Sequence, residues 1–587
     1  MALDKYFYYI IMKRIIIFLV ILINLGFAQQ INHRVTEVTE KEKGKSKFSV
    51  SPWQRINGIS NGAKYLIITH DNFYDAIQPL AQWKQKKGIK TKVVKLSELN
   101  AAPESLVRIK NYIVNAYNTW NPRPEYILLV GSPHFIRSNQ NKYDDYYADM
   151  SGNFLMELSV GRLPCSTATQ CSVMVYKTLG YERTPYVSDT LWYKKGTGII
   201  REDENAIDSV YWNNMRYVFG LWRTAGYVQI DSFSKLRGDS ARHVESAITN
   251  GRAYVVFRGQ GVTNWWSPFA IDATRMNNGF RLPIIISSTC ATINLEPNVS
   301  YLGENCMRAG TVTNPKGTVA FVGTTNSESG PGLAELRGTV SQYLLKSIFT
   351  DQMFKLGDVL KRAKFILDSL QPPYYSIIRY REWNLLGDPE LNVWTSVPKQ
   401  LTVVYDSVIP IGQQTYTVLV RQGTNPVSNA LVCVMKDTVI YQYNYTNTSG
   451  IVSFSINPQS TGTMSLTVTA QNCRAFEGTI RVRTNSIEEN SKLLISNSKF
   501  RVFPNPCHDI TEIFCTNSQS LNTNPQILIY DVQGRIRREV RIRKQEARDK
   551  IKIDLGNLPA GIYMVVVKKS ETLNLIQGMV LGKVVKR

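Results

Sequence analysis

Histidine is scarce in this chain, with 5 in 587 residues, at positions 33, 70, 134, 243 and 508. Any thiol centre it builds has few imidazoles to serve as a base. Its 8 cysteines include no CxxC pair, which removes the spacing that thiolate zinc sites use. No zinc-finger, basic-zipper or RNA-recognition signature concentrates the net charge of +23. Lys and Arg are spread over the whole length, so a nucleic-acid partner is not expected. Beyond the N-terminal region no apolar run is long enough to span a bilayer. A hydrophobic content of 43% with 20% charged residues leaves no long disordered or collagen-like portion.

What is present at the N-terminus points to export. "MKRIIIFLVILINLGFAQQ" (12–30) has a basic start, an apolar run of signal-peptide length and a small residue, Ala28, before Gln29. Residues 1–28 therefore read as a signal peptide, with Met12 as the working start of translation; the alternative is an uncleaved signal anchor. The expected product is secreted or held at the outer membrane surface, touching membrane only through export or attachment. Export permits disulfides. Cys433 with Cys473, and Cys507 with Cys515, lie within single downstream modules and are candidate pairs, although spacing does not decide connectivity.

A chain of this length implies about three or four domains. Residues 29–61 are polar and read as a linker or short pro-segment. Strand-like and helix-like stretches then alternate: "KYLIITH" (64–70), "NFYDAIQPLAQWKQKKG" (72–88), "IKTKVVKL" (89–96), "ESLVRIKNYIVNAYNTW" (104–120) and "PEYILLVG" (124–131). The alternation resumes at 241–251, at 253–257, at the run ending "RLPIIISSTCATIN" (281–294) and at "GTVAFVGTTN" (317–326), with helical patterns at 333–349 and 356–370. Such alternation predicts an α/β unit over 62–395, with a parallel sheet covered on both faces. Ligands of such sheets bind outside the carboxyl ends of the strands, where His70, His134, Gln260, Cys290 and Thr324 to Asn326 fall. From about Pro398 short alternating runs broken by Gly, Asn and Pro predict a β-sandwich over 396–484. A polar joint (485–497) leads to a last β-rich module, 498–587.

Several stretches of the first unit together resemble the gingipain family of secreted bacterial cysteine peptidases. They are "YILLVGSPHFI" (126–136), "DYYADMSGNFLMELSVGRLP" (145–164), "RGQG" (258–261), "IIISSTC" (284–290), "GTVAFVGTTNSES" (317–329) and "EWNLLGDPELNVW" (382–394). The resemblance implies a caspase-like α/β peptidase unit followed by an immunoglobulin-like sandwich. The tail, with "VFPNP" and "LPAGIY", resembles the sorting domain of type IX secretion cargo, which makes that machinery an implied partner.

Carried over residue by residue, the family's nucleophile falls on Cys290. Its histidine, carried in a Gly-His-Gly turn, falls on Gln260. Glutamine can hydrogen-bond but cannot accept a proton at neutral pH, so the geometry is kept and the base is lost. The resemblance also implies backbone oxyanion donors at Gly261 and Cys290, and an orienting acid at Glu157. His134, after a strand of the same sheet, is the candidate substitute base; His33, His70, His243 and His508 have no pattern tying them to Cys290. Taken alone, a cysteine such as Cys290 is more often a small buried hydrophobe than a nucleophile. Asp149, Ser151 and Asn153, with Glu157 beyond, have the alternating spacing of a weakened calcium loop, or of a simple polar turn. No cofactor is required. Trp265 and Trp266 fit either a cleft wall or the core. The sequence leaves two functions open: a cysteine endopeptidase impaired at its base and acting on peptides or proteins, or a non-catalytic surface protein binding peptides or partners on the same fold.

Overall fold

The computed structural model describes residues 62–139, 142–204, 206–262, 265–327, 333–370, 380–437 and 439–484, together with stretches of the tail between 500 and 586. The expected signal peptide, the segment to residue 61, the 485–497 joint and the end of "VFPNP" lie outside the described residues.

Ten strands of the first unit form one sheet: Tyr65–Thr69 (β1), Thr91–Lys95 (β2), Tyr126–Val130 (β3), Ser159–Leu163 (β4), Lys195–Ile200 (β5), Gln229–Ser234 (β6), Tyr254–Arg258 (β7), and, after the small hairpin Gln260–Val262 (β8) and Trp265–Ser267 (β9), Ile284–Ser288 (β10), Ala320–Thr324 (β11) and Trp383–Leu386 (β12). Their order is β2-β1-β3-β4-β12-β11-β10-β7-β5-β6. Eight α-helices accompany them among the described residues: Tyr74–Lys86 (α1), Leu106–Thr119 (α2), Ala168–Glu182 (α3), Asp208–Thr224 (α4), Ala241–Thr249 (α5), Leu302–Arg308 (α6), Leu333–Phe349 (α7) and Leu356–Ser369 (α8).

The strands are continuous apolar runs because helices cover both faces. In β7, Val255 and Phe257 enter one core while Tyr254 and Val256 enter the other. Likewise Ile285 and Phe321 face the first core, and Ile284, Ile286 and Val322 the second. One feature departs from the expected parallel sheet: β12 runs antiparallel to β11, pairing Trp383 with Thr324 and Leu386 with Phe321. It joins the other half of the sheet through one residue pair, Leu386 with Arg162. Arg162, wholly buried, is held by Asp144 at 2.7 and 2.6 Å and donates to the carbonyls of Gly131 and Ile136.

Beyond β12, "GDPE" turns under the sheet. Lys84 of α1 lies 2.8 Å from Glu182, 2.5 Å from Asp388 and 2.6 Å from Glu390, all buried, and Asp388 also accepts the Tyr65 hydroxyl. Burial pushes Glu182 and Glu390 up, but the surrounding lysines outweigh it and hold both below the usual carboxylate range.

Residues 402–483 form two facing sheets. One holds 402–404, 414–422, 425–426 and 451–456; the other holds 408–410, 431–436, 440–445, 462–469 and 476–483. Ile451–Ile456 alternates exposed and buried, as a half-covered strand must. Val418, Val432, Leu466 and Ile480 fill the space between the sheets. Cys433 and Cys473 are buried free thiols, so that candidate disulfide does not form; Cys507 is also a free thiol, and the side chain of Cys515 lies outside the described residues. The Asn472 carboxamide ties this sandwich to the first unit, accepting from Thr395 and Ser396 N–H at 3.0 Å each. The tail contributes strands 500–503, 510–515 and 550–554 to one sheet and 526–531, 536–541, 561–568 and 578–586 to another, around Ile527, Ile529, Ile553 and Val565.

Candidate active site

β7 and β10 are adjacent and parallel, and their last paired residues are Arg258 and Ser288. Gln260 and Cys290 each stand two residues past that pair, so the register sets them side by side at the carboxyl ends of the two strands. The Cys290 turn is held by hydroxyls. Thr289 donates to the Gly259 carbonyl (2.7 Å), Thr324 donates to the Thr289 carbonyl (2.6 Å), and Ser287 and Thr292 share a bond of 2.8 Å. Ala291 N–H reaches the Asn326 carbonyl at the end of β11, and Thr292 N–H reaches that of Thr324. The threonines of "SSTCAT" and "GTTN" are therefore structural, orienting a turn whose one reactive side chain is half-exposed.

Both glycines of "RGQG" are required by packing. A Cβ at Gly261 would lie 2.6 Å from the Cys290 carbonyl oxygen, and one at Gly259 would lie 2.5 Å from Cβ of Arg201. Among the described residues the Cys290 N–H meets no acceptor, which leaves it available to a ligand oxygen.

Among the described residues the sulfur has one polar partner, and it is an arginine. Arg337 in the second turn of α7 donates from Nη1 to Cys290 Sγ at 3.3 Å. Its fork is clamped by Glu382, just before β12, through Nε to Oε1 (3.2 Å) and Nη2 to Oε2 (3.1 Å). Nη2 also donates to the Asn326 carbonyl. Arg337 is 4% exposed and Glu382 0%. Burial alone would lower the Arg337 guanidinium, but Glu382 and the Cys290 sulfur outweigh it and raise it, so it is charged at neutral pH. A second cation lies beneath. Arg258 donates to the Ser288 carbonyl (2.8 Å) and to Asn214 (2.9 Å), and its guanidinium stands 4.7 Å from the centre of the Tyr211 ring. Burial, with Arg337 adding to it, pushes Arg258 down to about 10, still above neutral pH. Gly338 leaves room for Asn214 in this position, since a Cβ there would stand 2.0 Å from its Oδ1.

The sequence-derived candidates divide. Cys290, Gln260 and Gly261 are brought together. Gln260 is exposed, and its amide has no side-chain partner among the described residues. His134 is not a substitute base: β3, which it follows, is four strand positions from β10, about 19 Å at the usual strand spacing. Its ring stands against Phe135, which in turn stacks on His70. Glu157 does not meet Gln260 either. Its carboxylate accepts the Met150 N–H and the Ser151 hydroxyl, both at 2.5 Å, and β4, which it precedes, is four positions from β7. Asp149 accepts from Gly152 and Phe154, and Asn153 from Leu155, so these oxygens close their own loop. Trp266 is core: it is wholly buried, stacked on Phe257 and bonded to Ser287, while Trp265 is half-buried. His243 is an exposed residue in the first turn of α5, bonded to Ser240.

Arg337 and Glu382 were not legible as site residues. Glu382 opens the "EWNLLGDPE" motif, but nothing in its spacing ties it to a cysteine far upstream. The antiparallel insertion of β12 beside β11 delivers it.

A cysteine-bearing turn beside a glycine-lined turn, at the carboxyl ends of adjacent parallel strands, is the arrangement implied by the resemblance to the α/β cysteine peptidases. Residues 59–394 match the model of Peptidase family C25, more than half of the chain, and the chain belongs to that family. Residues 501–581 match the secretion system C-terminal sorting domain, which marks a secreted or cell-surface protein. Gingipain R2 of Porphyromonas gingivalis is 22% identical over 391 residues, covering 63% of this chain and 51% of that protein. Lys-gingipain of the same species is 21% identical over 457 residues, covering 70% and 25%. The chain thus spans about half or less of the length of these relatives. The crystal structure of the Arg-specific cysteine proteinase gingipain R superposes with a TM-score of 0.64 at 20% identity, over 72% of this chain and 98% of that one, and it shares the fold.

Proposed function

We propose that this chain is a secreted peptidase-C25 protein that receives peptide or protein segments at the Cys290 corner, with Cys290 as carbonyl nucleophile and peptide-bond turnover impaired. The observation that carries the reading is the preserved corner itself: Gly261 packed against the Cys290 carbonyl, with a half-exposed thiol beside it. An incoming carbonyl would sit with its oxygen toward the Cys290 and Gly261 N–H groups and its carbon toward Sγ. The impairment follows from Gln260. Amide hydrolysis needs a group that removes a proton and returns it to the leaving nitrogen, and losing it typically costs about 10²–10⁴ in rate. The sorting domain supports delivery by the type IX machinery.

The second reading is a non-catalytic surface protein that binds peptides or partners on the same fold. It is favoured by one observation: among the described residues no histidine touches Cys290. The test is to challenge the full chain with a peptidyl vinyl sulfone and a mixed peptide library. Labelling of Cys290 that disappears in Cys290→Ala supports the first reading. A chain that retains library peptides without being labelled supports the second.

A further inference from the structure

The sulfur in this site is paired with a permanent cation rather than a titrating base. The Cys290 to Arg337 contact of 3.3 Å, the two-point clamp by Glu382 and the burial of Arg337 and Glu382 fix that cation in place. A histidine in a cysteine peptidase has two duties: as imidazolium it holds the thiolate, and as an acid it protonates the departing amine. A guanidinium performs the first and cannot perform the second, because it does not give up its proton near neutrality. The two duties have therefore been separated in this chain.

We infer that Cys290, reacting as the sulfur anion against the guanidinium of Arg337 that Glu382 clamps, is an acyl acceptor for esters and thioesters whose leaving groups depart without a proton, and that it leaves amides intact. In the first step the sulfur electron pair attacks the acyl carbon and the S–C bond forms. The C–O or C–S bond of the donor breaks, and the aryloxide or thiolate leaves with its electron pair. In the second step water adds to the acyl carbon and the S–C bond breaks. Sulfur returns as thiolate to Arg337, the acyl group leaves as a carboxylate, and both protons of the water pass to solvent. An amide stops at the tetrahedral adduct, because expelling an unprotonated amine nitrogen is harder than expelling the sulfur. With Gln260 unable to activate water, the second step is slow and the acyl-enzyme accumulates. Glu382 acts through Arg337 as a positioning residue; Arg337 touches the reacting atom.

This inference rests on Cys290 being the nucleophile, and the experiment separates the two. The full chain is mixed with the p-nitrophenyl ester of an N-acylglycine and, separately, with the matching p-nitroanilide. A burst of one p-nitrophenolate per chain, a mass increase of one acyl group on Cys290, and no p-nitroaniline are expected. Arg337→Met is expected to slow the burst about 10- to 100-fold, the worth of one charge-assisted hydrogen bond. Arg337→Lys restores part of the rate by returning the charge, and Glu382→Gln falls between. Circular dichroism and the melting temperature establish that each variant is folded, and Arg337→Lys with Glu382→Gln keep the test open where Arg337→Met does not fold. Equal burst rates in wild type and the folded Arg337 variants overturn the role of the cation. Release of p-nitroaniline at the ester rate overturns the restriction to esters and leaves the peptidase reading standing. An unacylated Cys290 that also ignores a peptidyl vinyl sulfone overturns both.

Discussion

Gly261 lies against the backbone of Cys290 so closely that a Cβ on it would stand 2.6 Å from the Cys290 carbonyl oxygen, 2.9 Å from Thr289 Cγ2 and 3.0 Å from Thr292 Cγ2. Two of these three neighbours are threonine methyls fixed by their own hydroxyl bonds, so the turn has no slack to absorb a methyl group. Gly261→Ala is expected to destabilise the chain by about 1–3 kcal/mol through overpacking. It should also lower the labelling rate of Cys290 more than its small melting shift would predict. Thermal melts beside vinyl-sulfone labelling check this; an unaltered labelling rate would show that the two turns are not coupled.

Gln260 is the least constrained residue of the site, being exposed and without a side-chain partner among the described residues. Gln260→His should leave stability within about 0.5 kcal/mol, as for most surface changes. If the missing proton carrier is the defect, anilide hydrolysis rises by about 10²–10⁴ and acquires a limb near the ordinary histidine pKa. A silent Gln260→His variant with intact ester reactivity would place the defect elsewhere in the corner.

The buried Lys84 network makes a separate, pH-dependent prediction. Glu182 and Glu390 titrate lower in the folded chain than their ordinary 4.5. The stability they lend is therefore fully present above pH 4.5 and is lost as the pH falls through their folded values. Lys84→Met removes one of three lysines, with Lys87 and Lys355, that pair with these buried carboxylates, and the one that touches all three; it should cost about 3–5 kcal/mol. It should also shift the onset of acid unfolding to higher pH, because the carboxylates lose one of the charges that hold them low against burial. Urea midpoints measured from pH 7 to 3 for both proteins test this. An unchanged acid limb in Lys84→Met would contradict it.

Calcium is expected to make little difference. The oxygens of Asp149, Asn153 and Glu157 already accept N–H groups of their own loop, and Ser151 donates to Glu157. Removing calcium with a chelator should move the melting temperature by no more than about 1 °C, whereas a bound ion would stabilise by mass action. A rise of several degrees on adding calcium, lost in Asp149→Asn, would establish a site there.

The strands and helices of the first unit were legible because a sheet covered on both faces demands unbroken apolar runs, and its helices demand an apolar stripe. "YILLV", "YVVFR" and "IIISS" could take few other roles. The antiparallel β12 was not legible, because "WNLL" is too short for its direction to be read from periodicity. The placement of Gln260 and Cys290 followed from strand register, since each lies two residues past the last parallel pair, and the Thr289 bond to Gly259 keeps the two turns together.

The sequence by itself determined that this chain has a cysteine at the end of one strand, no histidine in the turn beside it, and glycines where the two turns press together. Those are local facts, written in residue type and spacing. Only the tertiary structure decided what stands next to the sulfur. It excluded His134 by four strand widths, kept Glu157 within its own loop, and brought Arg337 and Glu382 from a helix and a strand entrance far along the chain. Contacts between side chains distant in sequence depend on sheet order and on how closely helices approach. Here the helix that carries Arg337 approaches closely at Gly338, where a Cβ would meet the Asn214 carboxamide unless that side chain moved.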